Sequence, residues 1–325
     1  MKAFVHKGQA VSYTDIDEPE VARGEVKVAL KYAGVNHRDL NIPKRRGDNP
    51  NPLVLGSDGV GIVEQVGEGV SNYSVGDEVI INPGIGWKEK SDAPPEGFEI
   101  VGMPGHGTFA EKIVIVADWL EKKPAFLTGE EAGVLALSGL TGYRALFTKG
   151  QLKQGDTVFI PGAGSGVTTF LIQFAKAVGA RVIVTSRSQK KKDKAIALGA
   201  DRAIDTNSDW YDVLANETIN IVIDSVGEAT FNRSLQVLMR GGRMVTFGAT
   251  TDDHVTIDIR SFFYGQYQLL GSTMGSREEL REMLAFIEKH QLHPVVDQVF
   301  PLKNTDTAFL YLEEAKQFGK VALKI

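Results

Sequence analysis

Between Asp156 and Phe170 the chain reads Asp-Thr-Val-Phe-Ile-Pro-Gly-Ala-Gly-Ser-Gly-Val-Thr-Thr-Phe. Four residues suited to a buried strand, Thr157–Ile160, run into three glycines within five positions and out into a helical pattern through Ile172, Gln173, Phe174 and Ala175. Glycines at this spacing let the backbone reverse sharply and approach a ligand closely, and the first turn of a helix leaves N–H groups free for an anion. Gly162, Ala163, Gly164, Ser165, Gly166 and Val167 are therefore candidate phosphate contacts. A strict Gly-x-Gly-x-x-Gly fails, because Val167 stands at the third glycine position. A strand–helix turn without any ligand has the same local appearance, so the surrounding pattern must decide.

That pattern changes near residue 128. From Met1 to about Lys122 the apolar segments are short and often β-branched (Val26–Leu30, Gly61–Val66, Glu78–Ile81, Lys112–Val116), and Gly, Pro, Asn or Asp clusters separate them. This is the texture of an antiparallel or barrel-like unit. Thr128, with Glu130 and Glu131 behind it, reads as the N-cap of a helix through Ala132–Leu140. Beyond it, apolar runs at Thr157–Ile160, Arg181–Thr185, Arg202–Ile204, Ile221–Val226, Arg243–Phe247 and Gln268–Gly271 alternate with helical patterns at Phe170–Val178, Lys190–Leu198 and Phe231–Met239, and Glu278–His290 follows as another. Strands apolar on both faces, each followed by a crossover helix, predict a parallel sheet covered on both sides. Six of them fit a doubly wound nucleotide-binding sheet. Val295–Phe300 and Val321–Ile325 read as strands returning to the first unit, so the α/β unit, 126–274, is expected to be inserted between 1–125 and 275–325. Lys88–Phe98, with Pro94-Pro95, is the expected long exposed loop.

The second strand bears on the cofactor. NAD-binding chains usually end it on Asp or Glu, which accepts from the ribose hydroxyls. Here it runs Arg181-Val182-Ile183-Val184-Thr185-Ser186-Arg187-Ser188. Ser186 and the guanidinium of Arg187 suit a 2′-phosphate instead, since Arg can fork onto it with two charge-assisted bonds. NADPH is the expected cofactor. Gly248, Ala249 and Thr250, at the end of the fifth strand, are expected to line its edge, as strand C-termini do in such sheets.

Composition removes several chemistries. The 325 residues include no cysteine, which excludes disulfides, thiolate nucleophiles and cysteine-based metal sites. With 36 Lys+Arg against 41 Asp+Glu, a net charge of −5 and no basic tract, nucleic acid is not an expected partner. No apolar run approaches the ~20 residues of a bilayer span and no signal-peptide core opens the chain, so a cytoplasmic protein without a membrane partner is expected.

With these residues in place, the chain resembles the medium-chain dehydrogenase/reductase superfamily, and within it the zinc-free quinone oxidoreductase-like branch. The carriers are Ala33-Gly34-Val35-Asn36-His37-Arg38-Asp39-Leu40, Leu55-Gly56-Ser57-Asp58-Gly59-Val60-Gly61-Ile62-Val63, Val75-Gly76-Asp77-Glu78-Val79, Gly107-Thr108-Phe109-Ala110-Glu111, Leu140-Thr141-Gly142-Tyr143, Leu198-Gly199-Ala200-Asp201, Ile223-Asp224-Ser225-Val226-Gly227 and Gly241-Gly242-Arg243, in order along essentially the whole chain. The resemblance implies an α/β protein: a GroES-like β-rich catalytic domain with an inserted Rossmann domain, the cofactor lying between them. It places Lys191 at the 2′-phosphate and Thr168 where the family commonly has Gly. For Lys190 and Lys192 a solvated helix face is the alternative to a phosphate contact.

Zinc-dependent members place Cys in the first motif and Gly-His-Glu in the second; here Asn36 and Ser57-Asp58 stand there, and the lobe that carries four cysteines in those members, Pro83–Gly105, has none. Three protein ligands in suitable geometry are needed for a catalytic zinc, so no metal is expected. His37, close in sequence to Asp39, is the one histidine worth testing as a ligand.

Without a Lewis acid, a hydride acceptor that is already electrophilic, a quinone or an α,β-unsaturated carbonyl, is the expected substrate. The rivals are an enoyl-thioester (enoyl-CoA or enoyl-ACP) reductase and a non-catalytic NADPH-binding sensor or structural protein. Asn36 and Thr141 are the expected catalytic groups, near the substrate oxygen and the nicotinamide amide; the alternative for Asn36 is to lock its own loop. Some quinone reductases carry a tyrosine five residues after this asparagine, where Asn41 stands here, so the proton donor stays unassigned among Tyr143, Tyr264 and Tyr267. The cluster Phe262-Phe263-Tyr264 is expected to be core or subunit contact. A homodimer is expected, paired through the edge strand Gln268–Gly271.

Overall fold

The computed structural model describes residues 1–325, which divide into two compact units, Met1–Leu140 with Gly275–Ile325, and Thr141–Met274. In the first, the strand Glu25–Val35 is the organising element. Its inward residues Val26, Val28 and Leu30 are buried against Val63, Ile81, Ile113 and Leu120. It pairs antiparallel with Asp58–Val66, Lys112–Val116 and the C-terminal strand Lys320–Lys324. Leu120–Lys122, Glu78–Ile81 and Val296–Pro301 complete this seven-stranded sheet. The chain's last strand thus pairs directly with a strand near its start. Residues 126–140, assigned from sequence to the inserted segment, cluster with the first unit instead. The reason is local: the helix Gly129–Gly133 packs so closely on Tyr32 that a Cβ at Gly133 would lie 2.8 Å from that residue's Cβ. Thr128 does cap that helix, accepting from the Glu131 N–H.

Sequence periodicity did not reveal the helix His37–Arg46, which contains Pro43 and buries only Asp39 and Ile42. The loop Lys88–Phe98 is largely exposed, but its base is fixed. Trp87, 1% exposed, packs edge-on against Phe98, and its backbone carbonyl accepts from the N–H of Arg277 at 2.8 Å.

The second unit contains six parallel strands: β1 (Thr157–Ile160), β2 (Arg181–Ser186), β3 (Arg202–Asp205), β4 (Ile219–Asp224), β5 (Leu238–Thr246) and β6 (Gln268–Gly271), in the order β3-β2-β1-β4-β5-β6. Val158, Phe159, Val182, Ile183, Val184, Ile221 and Val222 are essentially without exposure, as strands covered on both faces require. The helices α1 (Gly166–Ala177), α2 (Gln189–Ala197) and α3 (Glu228–Val237) lie between successive strands. This is the doubly wound order in which ligands bind beyond the strand C-termini, where the order reverses between β1 and β4. No helix of the chain is long and apolar enough to cross a membrane.

Candidate active site

At the end of β1 the glycine loop is built as a cradle. Gly162 and Gly164 have φ of +86° and +125°, conformations that a residue with a Cβ rarely adopts. Ser165 caps α1, accepting from the Thr168 N–H at 3.1 Å. The N–H groups of Gly166 and Val167 open the first turn, where a helix has no internal acceptors for them. Thr168, the departure from the family pattern, braces the loop from behind, its hydroxyl donating to Gly162 O at 2.9 Å. Thr185 of β2 holds the loop from the other side, accepting from the Gly162 N–H at 3.0 Å.

The next turn adds cations. Ser188 caps α2, Ser186 accepts from the Ser188 N–H, and Arg187 is exposed between them. Lys191 folds back across the glycine loop: a Cβ at Gly164 would lie 3.0 Å from its Cδ and 3.3 Å from its Nζ. Lys190 is exposed.

Beyond β4, the buried Asp224 carboxylate accepts from the N–H groups of Val226 and Gly227 and from the hydroxyls of Thr230 and Ser234. The loop after β5 is tied to this turn, Thr251 donating both its N–H and its hydroxyl to Val226 O at 2.9 Å. Gly248, Ala249 and Thr250 are exposed beside it. Residues 162–167, 186–191 and 248–250 therefore all lie at or beyond the C-terminal ends of strands in one sheet, where this fold binds a dinucleotide.

The first unit contains a second polar constellation, buried rather than open. Asn36 begins the helix His37–Arg46, its N–H donating to Asp39 Oδ2 at 2.8 Å. Gly34 permits the close packing here, since a Cβ there would lie 2.9 Å from both Asp58 Cβ and Gly133 O. Asn36 Nδ2 donates to Asp58 Oδ2 at 3.0 Å and to Gly34 O at 3.3 Å, and its Oδ1 accepts from Lys320 Nζ at 2.5 Å and from the Ser138 hydroxyl at 3.3 Å. The side chain has no hydrogen-bonding capacity left for a ligand. Asp58 Oδ1 accepts from the Leu137 N–H at 2.6 Å. Ser57 donates to Val101 O and accepts from Arg38. Burial pushes the Asp39 carboxyl up to about 7, against the opposing influence of Arg38, the Asn36 N–H and Lys320. Burial and the Lys320 charge hold the His37 imidazole below its usual value.

The zinc that the family implies finds no donor set here. Asn36 turns an N–H donor toward Asp58, both Asp58 oxygens are engaged, and no three His, Cys, Asp or Glu side chains converge, His37, Asp39 and Asp58 included.

Thr141 is buried in the helix Ala136–Tyr143. Tyr143 packs at a tilt against Phe147, with ring centroids 4.9 Å apart, and exposed Asn41 donates to His37 O within its own helix. Phe262 packs toward Tyr267, whereas Phe263 and Tyr264 are exposed. Sequence reasoning missed Lys320, Ser138, Thr185 and Asp224. For Lys320 a signal was available: a lysine directly followed by Val321-Ala322-Leu323 in a terminal strand has little prospect of reaching solvent.

Comparison with known proteins agrees with both units. Residues 166–289 match the family model of the zinc-binding dehydrogenases, and residues 22–125 that of the alcohol dehydrogenase GroES-like domain. The chain is 35% identical over 319 residues to a zinc-type alcohol dehydrogenase-like protein of Schizosaccharomyces pombe, covering 93% of this chain and 91% of that protein. It is 30% identical over 352 residues to the acryloyl-coenzyme A reductase of Metallosphaera sedula, covering 99% of each. The crystal structure of an NAD-dependent alcohol dehydrogenase matches at a TM-score of 0.92 and 36% identity over all of both chains.

Proposed function

The chain belongs to the medium-chain dehydrogenase/reductase superfamily, and from that premise we propose that it is an NADPH-dependent, metal-independent reductase of quinones and α,β-unsaturated carbonyls. One observation carries the reading: at the positions where zinc members hold their metal, Asn36, Ser57 and Asp58 are all engaged in hydrogen bonds within the protein. Oxidising an alcohol requires a group that stabilises the developing alkoxide, and this donor set offers none. A conjugated acceptor takes hydride at an electrophilic carbon and spreads the charge onto its own oxygen, so it asks less of the protein.

Bound NADPH supplies the hydride. Around it, the backbone of Gly162–Val167 receives the pyrophosphate, and Ser186, Arg187 and Lys191 receive the 2′-phosphate. Gly248, Ala249 and Thr250 line the dinucleotide's edge, and Thr141 holds the nicotinamide amide. Orientation of the two reactants is the main contribution, and can be worth several kcal/mol of the barrier. Asn36 acts by positioning, through Lys320 and Asp58, and water supplies the proton. The edge strand β6, with Leu269 40% exposed, is the proposed seam of a homodimer.

A second reading has its own support: similarity to an acryloyl-coenzyme A reductase favours an enoyl thioester as the acceptor. Stopped-flow loss of NADPH absorbance with a quinone, an enal and crotonyl-CoA separates the two by rate. Turnover that requires added zinc and vanishes on chelation, or alcohol oxidation that outpaces every reduction, overturns the proposal. Sedimentation at 35 kDa alone removes the dimer.

A further inference from the structure

Lys320 enters the polar constellation from the C-terminal strand, and both it and Asp58 are almost without solvent contact, at 3% and 0% exposure. Its Nζ lies 2.5 Å from Asn36 Oδ1, 3.1 Å from Val35 O, 3.1 Å from Ser138 Oγ and 3.5 Å from Asp58 Oδ2. Burial pulls the Lys320 amine below its usual value, while the Asp58 and Asp39 charges oppose that pull, and the oxygens around Nζ favour the ammonium. A carbonyl and an amide oxygen can only accept. With its hydrogen on Asn36 Oδ1, the Ser138 hydroxyl too accepts from the lysine. An ammonium satisfies all three oxygens with its three N–H bonds and faces the Asp58 carboxylate, whereas a neutral amine would donate to two of them and accept from the Ser138 hydroxyl. The Asp58 carboxylate balances the charge.

These four oxygens come from three separated parts of the chain: the end of the strand Glu25–Val35 with the residue after it, the strand Asp58–Val66, and the helix Ala136–Tyr143. A single buried cation joins them, as a metal ion would. We propose that the Lys320 ammonium is a built-in cation that takes the place of the metal in this chain, and that it is a positioning residue of the active site, fixing Asn36, Asp58 and the Ser138 turn. The inference deepens the metal-independent reading and rests on it.

The ordering follows from the chemistry of the seat. Desolvating an ammonium is costly unless oxygens replace its water, and here each N–H finds one. With a covalently tethered cation in place, the oxygens that a dication would need are already committed. Removing the amine leaves Asp58 buried without its counter-charge, while Asn36 Oδ1 keeps only the Ser138 hydroxyl and the Ser138 oxygen loses its donor.

The test begins with the wild-type protein. Nitrogen-15 NMR should show a slowly exchanging lysine ammonium signal that is absent from Lys320→Met. A signal at the neutral amine position, or no protected lysine signal, overturns the proposal. NADPH oxidation with the best acceptor should fall at least tenfold in Lys320→Met. In Lys320→Ala, n-propylammonium should restore turnover and the thermal midpoint saturably, whereas equimolar 1-propanol should not. Wild-type rates in Lys320→Met, or equal rescue by the alcohol, refute a role for the charge. If both variants fail to fold, the wild-type NMR signal still decides. Because that signal needs no substrate, a protein inactive with every acceptor sinks the functional reading alone, and a missing ammonium in an active, metal-free enzyme sinks only this one.

Discussion

Lys191 lies across Gly164, so near that a Cβ on the glycine would meet the lysine Cδ at 3.0 Å. The glycine's φ of +125° disfavours any side chain, at about 1–3 kcal/mol. Gly164→Ala should therefore act twice, straining the phosphate loop and displacing the ammonium. We expect the variant to be less stable by roughly that amount, and its affinity for NADPH to fall at least tenfold. Calorimetric titration of Gly164→Ala, Lys191→Ala and the double variant checks this. Strict additivity of the two affinity losses would show that loop and lysine act apart.

Arg187 is expected to separate the two cofactors. It is exposed beside the cap of α2, where a guanidinium can fork onto a 2′-phosphate. Arg187→Ala should weaken NADPH binding by ~1.5–3 kcal/mol and leave NADH nearly unchanged. Equal losses for both would remove the assignment of the phosphate to this residue.

The Asp39 carboxyl gives the fold a measurable pH signature. Burial raises it to about 7 from an ordinary 3.8, so the folded chain holds this proton more tightly than the unfolded one. Its contribution is complete below about pH 4 and is lost as pH rises through 7. Asp39→Asn cannot titrate, and it keeps an oxygen to accept from the Asn36 N–H. Thermal midpoints of the two proteins, measured from pH 4 to pH 8, should diverge by several degrees in that direction. Parallel curves would mean that the carboxyl is ionised throughout.

How far the sequence speaks differs between the two units. β1 and its glycines were readable because the signal is local: a strand, a turn that only glycine tolerates, and a helix start within fifteen residues. Gln268–Gly271 and Glu78–Ile81 were found to the residue, since Gly, Asp or a charged neighbour bounds each apolar run. The helix His37–Arg46 was not readable, because Pro43 and five charged side chains, buried Asp39 among them, hide a face that buries two residues. The Asn36–Lys320 contact joins residues 284 apart, and no spacing rule reaches that distance. Asn36 itself was identified, but its engagement on every polar atom emerges only once β-sheet register brings Gly34 beside Asp58.

Asp224 should govern the far wall of the dinucleotide site without touching the ligand. One oxygen accepts from Val226 N at 2.8 Å and Gly227 N at 3.2 Å, and the other from Thr230 Oγ1 at 2.7 Å and Ser234 Oγ at 2.9 Å. Asp224→Ala removes the acceptor of two backbone N–H groups and of the Ser234 hydroxyl and leaves Thr230 only its longer bond to Gly227 O, and each buried unsatisfied group costs about 1–3 kcal/mol. Asp224→Asn keeps one oxygen for the backbone pair, and its amide can donate to hydroxyls free to rotate. Denaturant melts should therefore rank wild type above Asn and Asn above Ala. Because Thr251 is anchored on Val226 O, NADPH affinity should fall in the same order. An alanine variant that melts below the others yet binds NADPH normally would confine Asp224 to folding and detach it from the site.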